Sequence, residues 1–229
     1  MKAKHRAMLY FGCFDGIFWG IMASYGSYIV AMALSRGYGQ GVVSIMASGY
    51  LVSAFAGQFF WAGMCDRLHT NKKIFIAGVS ITAIVQLLLY FTSSGLLFGV
   101  LYVALGFTLQ PMGSILDAWM LRALEGDVKA YAPARGGGSI GYAAIMLVTG
   151  RLIARFGYPA MPVCASLFAA AALAVAFVTP EPGFAAVGPT EKAFWKTALS
   201  TLRDRPYLRM LLMVFLMGMA SAPIKSFKI

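Results

Sequence analysis

Long apolar stretches alternate with short polar or charged segments along almost the whole chain. A membrane-spanning helix needs about 20 apolar residues. The stretches that approach this length are 7–33, 43–65, 73–92, 95–121, 137–155 and 158–179. The segments 34–42 and 93–94 between them are short, whereas 66–72 and 122–136 carry charges. The pattern predicts an all-α integral membrane protein whose first six spans form one helical bundle.

Composition supports this class and excludes an ordinary soluble domain. Hydrophobic residues make up 60% of the chain and charged residues only 12%. The net charge of +11 does not indicate nucleic-acid binding, because Lys and Arg concentrate in alternate inter-span segments, as the positive-inside rule describes. Before the final stretch, Arg36, Arg151 and Arg155 are the only basic residues in the segments that we expect on the outer side of the membrane. We therefore expect a multi-pass protein of the cell's inner membrane with a cytoplasmic N-terminus.

The last fifth of the chain departs from the pattern of alternating spans. We assign residues 1–179 to the bundle and 180–206 to a cytoplasmic linker, whose part from Thr190 has the alternation of an amphipathic helix lying on the membrane. We expect residues 207–229 to begin a seventh span without completing it. This organisation is typical of the first half of a two-bundle transporter.

Asp117 and Arg135 are ionisable residues at the ends of two neighbouring apolar stretches. A charge at a helix centre in a bilayer costs roughly 2.5–3.5 kcal/mol or more, so it indicates a partner, a water-filled cavity or a function. Gln110, Ser114 and Asp117 follow helical spacing and predict one polar stripe on the fourth span. Two interpretations remain open, a solute pathway between the helices and a structural salt bridge.

Asp15 is a further acid within a span. If it lies there without a cation, it is a candidate for proton coupling; alternatively it hydrogen-bonds a neighbouring helix or lies near the interface. Small residues allow helices in lipid to approach closely. Gly12, Gly16 and Gly20 therefore predict a packing face, and we expect Gly136–Gly138 to let the fifth span start flexibly against the second.

The segment WAGMCDRLHTNKK (61–73) follows the second span. It resembles the signature loop of the major facilitator superfamily through Ala62, Asp66, Arg67 and the pair Lys72 and Lys73, whereas His69 stands where that family usually has Gly. The resemblance implies that Asp66, Arg67, Lys72 and Lys73 form a cytoplasmic gate. The alternative is that these charges only mark topology.

The segment YAPARGGGSIGYAA (131–144) resembles the start of the fifth span in the subgroup that contains lactose permease, nucleoside:proton symporters and the phenylpropionate permease. The residues that fit its pattern are Tyr131, Arg135, Gly138, Ser139, Gly141 and Tyr142, while Ala132 departs from it. The resemblance implies that Asp117 and Arg135 bind the solute and that Tyr142 stacks on it. Asp in place of Glu and Tyr in place of Trp do not favour a galactoside.

We therefore expect a secondary active transporter, proton-coupled, whose solute is a sugar, a nucleoside or an aromatic acid. An exporter of the same superfamily and a non-transporting membrane scaffold remain open alternatives, and we expect the chain alone not to transport. Its expected partners are the solute, H⁺, the lipid bilayer, and a missing C-terminal half or a second copy.

The sequence does not indicate an enzyme. We find no Ser-His-Asp set or metal-ligand cluster, and the three cysteines are too scattered to suggest a disulfide framework. No cofactor is expected.

Overall fold

The structure, a computed structural model, describes residues 2–183, 204–210, 212, 213 and 216. Residues 2–183 are helical apart from short connections. The helices are α1 (Lys2–Tyr25), α2 (Ile29–Ser35), α3 (Gln40–Leu68), α4 (Lys72–Phe91), α5 (Gly95–Ala123), α6 (Val128–Phe156) and α7 (Ala160–Val178). Within the described residues, α1 with α2 forms one span, and α3 to α7 are the second to sixth spans, each long and apolar enough to cross a membrane. The predicted all-α bundle is confirmed.

The stretch 7–33 predicted one continuous helix for the first span, but the structure divides this span into two helices. A turn over residues 26–28 separates α1 from α2, and the Tyr28 amide donates to the Tyr25 carbonyl at 3.1 Å. Gly26 is a poor helix former. The Ser27 hydroxyl, next to it, hydrogen-bonds the hydroxyl of Tyr142 at 2.7 Å. The break therefore brings the end of α1 into contact with α6.

The prediction of a charged loop over 122–136 is wrong, because α5 continues to Ala123 and α6 already begins at Val128. The Asp127 side chain accepts hydrogen bonds from the amides of Lys129 at 3.0 Å and Ala130 at 3.3 Å. These are free donors at a helix N-terminus, which an Asp N-cap satisfies. The cap starts the helix nine residues before the predicted apolar stretch, so Arg135 lies inside a helix.

One close helix contact in the bundle joins α1 to α6 through glycines. A Cβ atom on Gly137 would lie 2.5 Å from the Gly12 carbonyl oxygen, and one on Gly141 would lie 2.6 Å from the Cα of Gly16. The predicted packing face on the first span is confirmed. The expectation that Gly136–Gly138 starts flexibly against the second span is wrong, since Gly137 and Gly138 pack on α1 within a regular helix.

The second close contact joins α3 to α5. A Cβ atom on Gly57 would lie 2.5 Å from the Phe107 carbonyl oxygen, and the Trp61 indole donates to the same oxygen at 2.9 Å. The core between these pairs contains large side chains that are fully buried, among them Phe14, Phe18, Phe75, Phe98 and Trp119. The bundle is thus built on two close helix pairs, α1 with α6 and α3 with α5, around an aromatic core.

The amphipathic helix predicted from Thr190 onward lies, as far as residue 203, outside the residues that the structure describes. Of the predicted incomplete seventh span, residues 207–210, 212, 213 and 216 are described, and they are helical.

Candidate functional site

The Arg135 guanidinium binds two carboxylates from two other helices. Its Nη1 donates to Oδ2 of Asp15 on α1 at 3.1 Å, and its Nε lies 3.1 Å from Oδ1 of Asp117 on α5. The predicted proximity of Asp117 and Arg135 is therefore observed. Asp15 joins them, so three helices meet at one cation. We call Asp15, Asp117 and Arg135 the arginine cluster.

The members of the arginine cluster differ sharply in access. The side chain of Asp15 is 0% exposed, whereas those of Arg135 and Asp117 are 32% and 29% exposed. A buried charge without a partner is strongly unfavourable, so the contact with Arg135 accounts for an acid at this depth. Asp15 is therefore not a carboxyl without a cation, and it makes a hydrogen bond to a neighbouring helix. Its role in proton coupling stays a prediction.

Glycine at position 138 makes room for the buried carboxylate. A Cβ atom there would overlap Oδ2 of Asp15 and would lie 2.7 Å from Cδ1 of Trp19. Gly138 was recognised from the motif around Arg135, but its steric role was not. The signal was present in the sequence, since Asp15 lies between Gly12 and Gly16 on the face that packs against the glycines of α6.

One aromatic side chain packs against Arg135, and a second packs against the first. The centre of its guanidinium lies 4.9 Å from the centroid of the Trp19 ring, a cation–π distance. The rings of Trp19 and Tyr142 are 6.5 Å apart, edge to face. The Tyr142 hydroxyl is bonded to Ser27 at 2.7 Å. The predicted stacking residue Tyr142 therefore lies next to Trp19, and Trp19 contacts Arg135.

The polar stripe of α5 continues the site along that helix. Nε2 of Gln110 donates to the Tyr50 hydroxyl of α3 at 3.1 Å and lies 3.9 Å from Sδ of Met22. Ser114 is exposed and lies between Gln110 and Asp117 in sequence. The stripe thus joins the arginine cluster to a hydrogen bond between α5 and α3.

The predicted gate residues lie together where α3 ends and α4 begins. Asp66 and Arg67 are exposed in the last turn of α3, and Lys72 and Lys73 begin α4. Nζ of Lys72 donates to the carbonyls of Phe177 and Thr179, both at 2.8 Å. The lysine therefore ties this loop to the end of the sixth span.

Sequence reasoning missed the partner of this loop, Glu181. Its carboxylate accepts hydrogen bonds from the Thr70 hydroxyl at 2.7 Å, from the Lys72 amide at 3.0 Å and from the Asn71 amide. An anion is stabilised at the N-terminus of a helix, here that of α4. Glu181 was assigned to the linker, where its PEPG context gave no sign of a capping role. We call Lys72, Glu181 and these contacts the α3–α4 clasp.

Arg135 and Asp117 of the arginine cluster are partly exposed. A cavity of about 470 Å³ lies beside the clasp, where Arg6, Tyr10, Thr179 and Glu181 contribute to its wall, and no residue of the arginine cluster lines it. Within the described residues no group of His, Cys, Asp or Glu has a metal-binding arrangement.

Comparison with known proteins agrees with this architecture. The MFS_1 like family matches residues 7–229, almost the whole chain. Among curated proteins, comparison gives no match. The family match does not identify the subgroup, so the resemblance to lactose permease and its relatives stays a prediction. A family match over nearly the full length, on a bundle with six membrane-spanning segments, shows a major facilitator-type transporter. The chain belongs to the MFS_1 like family.

Proposed function

We propose that the protein carries a small solute together with a proton and that the arginine cluster binds the solute. The observation that supports this most strongly is the partial exposure of Arg135 and Asp117, at 32% and 29%, inside a bundle of apolar spans. Ionised groups in spans face the bundle interior or a water-filled cavity and mark solute pathways. A purely structural salt bridge has no need of this access.

The hydrogen-bonding capacity left on Arg135 suits a solute. Nε and Nη1 are occupied by Asp117 and Asp15, while Nη2 makes no hydrogen bond to any described residue. A guanidinium presents its donors in a fixed planar fork. The two carboxylates hold this fork in place, so the free nitrogen is oriented before a solute arrives.

Charge counting supports proton coupling. Two carboxylates share one guanidinium, so the ionised cluster carries a net charge of about −1. A proton on either carboxyl would neutralise it, which is favourable where solvation is poor. Proton binding at this cluster would thus be linked to whatever the exposed face of Arg135 holds.

Binding and flux measurements test the proposal. The protein in lipid nanodiscs is screened by thermal shift against sugars, nucleosides and aromatic acids, and uptake of the hits into proteoliposomes is measured with and without an inward proton gradient. We expect saturable binding that Arg135→Gln abolishes. Because the chain alone is expected not to transport, we expect gradient-dependent accumulation only when a second bundle, from a C-terminal half or a second copy, is present. Gradient-driven efflux would indicate an exporter, and stable insertion without any binding would indicate a scaffold.

A further inference from the structure

The positive charge of Arg135 is already balanced before any solute binds. Two carboxylates lie within 3.1 Å of the same guanidinium. Asp15 is 0% exposed and packs beneath Gly138, so neither solvent nor a solute reaches it. Its charge nevertheless acts on Arg135 through a hydrogen bond in a region of low dielectric constant, where electrostatic effects are strong.

This balance is unfavourable for a solute that carries a carboxylate. Such a solute would bring a third negative charge to one guanidinium, and like charges that share a site disfavour each other. Protonation of Asp15 or Asp117 would bring the cluster only to neutrality. A surplus positive charge would require both carboxyls to be protonated. A pair made only of Asp117 and Arg135 would carry a net positive charge once Asp117 is protonated, and it would then attract acids. The charge of Asp15 removes this attraction, because it keeps the cluster neutral in the same state.

One position that would suit a cationic solute is already taken. The face of Trp19, the natural seat for a cation, is occupied by the guanidinium of Arg135 at 4.9 Å. What remains accessible is a set of neutral or shared groups: Nη2 of Arg135, the partly exposed carboxylate of Asp117 and the exposed hydroxyls of Ser114 and Ser139. These groups match hydroxyls, which both donate and accept hydrogen bonds.

We infer that Asp15 sets the charge selectivity of the site, so that it accepts an uncharged ring bearing hydroxyl groups and rejects a solute bearing a carboxylate. Asp15 is a positioning residue, since it acts through Arg135 and does not touch the solute. The inference rests on the proposed function, and it separates the sugars and nucleosides from the aromatic acids among the solute classes considered.

The test uses solutes that share a skeleton and differ in charge. Galactose, galacturonate and galactosamine form one set, and phenylpropanol, phenylpropionate and phenylpropylamine form the other. Dissociation constants are measured for the full chain in nanodiscs. We expect the neutral member of at least one set to bind at least tenfold more tightly than its acid, and the amine to bind no more weakly than the acid. An acid that binds as tightly as its neutral counterpart, or more tightly than its amine, would overturn the inference while leaving the proposed function intact. Binding of none of these six, together with none in the wider screen of sugars, nucleosides and aromatic acids, would remove the proposed function itself.

Asp15→Asn supplies the decisive comparison, because an amide oxygen can still accept from Nη1 of Arg135 but carries no charge. We expect the ratio of acid to neutral affinity to rise at least tenfold. A merely structural role would lower both affinities and leave the ratio unchanged, and an unchanged ratio would overturn the inference. Asp15→Ser, which also removes the charge, is the second variant should the amide disturb folding. Gly136→Ala, on α6 with open space around the added methyl group, is the control that should leave the ratio unaltered.

Discussion

Asp15 and Arg135 are 120 positions apart in sequence, and Nη1 of Arg135 donates to the fully buried Oδ2 of Asp15 at 3.1 Å. The same guanidinium contacts Asp117, which is 29% exposed. One cation therefore serves a carboxylate that water cannot reach and another that it can. This difference in access leads to different expected contributions to stability.

The two ion pairs should differ in coupling energy. Arg135→Gln should destabilise the bundle by about 3–5 kcal/mol, because it leaves Asp15 buried without a partner. Two double-mutant cycles, measured by unfolding in mixed micelles, combine Arg135→Gln either with Asp15→Asn or with Asp117→Asn. The coupling energy should be larger in the Asp15 cycle, since partly exposed ion pairs contribute only about 0.2–1 kcal/mol. Equal coupling energies would contradict the assigned difference in burial.

Gly138→Ala should displace the Asp15 carboxylate, because the added methyl group overlaps Oδ2 of Asp15 and lies 2.7 Å from Trp19. Overpacking of this kind costs about 1–3 kcal/mol, and we expect a lower melting temperature together with loss of solute binding. The matched control is Gly136→Ala, where nothing lies within 4 Å. Since Ala is the better helix former, the control should gain up to about 1 kcal/mol. Equal effects of the two variants would argue against the close contact of α6 with α1.

Gly57→Ala should separate α3 from α5 without touching the arginine cluster. Its methyl group would lie 2.5 Å from the Phe107 carbonyl oxygen, which also accepts from Trp61 at 2.9 Å. We expect a loss of stability of about 1–3 kcal/mol and a red shift of tryptophan emission as Trp61 becomes hydrated. Gly63→Ala, on the same helix with open space around it, should leave the emission unchanged and gain up to about 1 kcal/mol of stability. Retention of stability in Gly57→Ala would show that this helix pair is looser than described.

Glu181→Gln should loosen the α3–α4 clasp. The charged acceptor for the Asn71 and Lys72 amides is lost, and hydrogen bonds to charged groups contribute about 1.5–3 kcal/mol. Hydrogen exchange followed by mass spectrometry should therefore speed up in peptides covering residues 70–75, and not in α5. Glu125→Gln, at an exposed residue of the α5–α6 turn, is the control. Unchanged exchange at residues 70–75 would remove Glu181 from the clasp.

The spans and the Asp117–Arg135 contact were predictable because they depend on local quantities, namely hydropathy and a polar residue in an apolar stretch. The start of α6 was not, because the charges of 122–136 suggested a loop, whereas a single Asp127 cap allows the helix to begin at Val128. Local charge is a weak guide where a few capping hydrogen bonds decide the helix start.

The role of Asp15 escaped prediction for a different reason. Its partner depends on which helices pack together, and the sequence places α1 and α6 far apart in order. The glycine spacing of α1 did predict a close contact, but not its partner helix, so Arg135 could not be matched to Asp15. Glu181 is a similar case, since the amides it binds belong to a helix start more than a hundred positions earlier.

The glycine contact between α1 and α6 also limits how this protein can be redesigned. At Gly137 and Gly141 an added methyl group would meet the backbone of Gly12 or Gly16, so the wall behind Arg135 accepts no new side chain. Changes of solute preference must instead come from the accessible rim, where Ser114 and Ser139 are exposed. The site thus has one side that tolerates mutation and one that does not, and library design should be confined to the former.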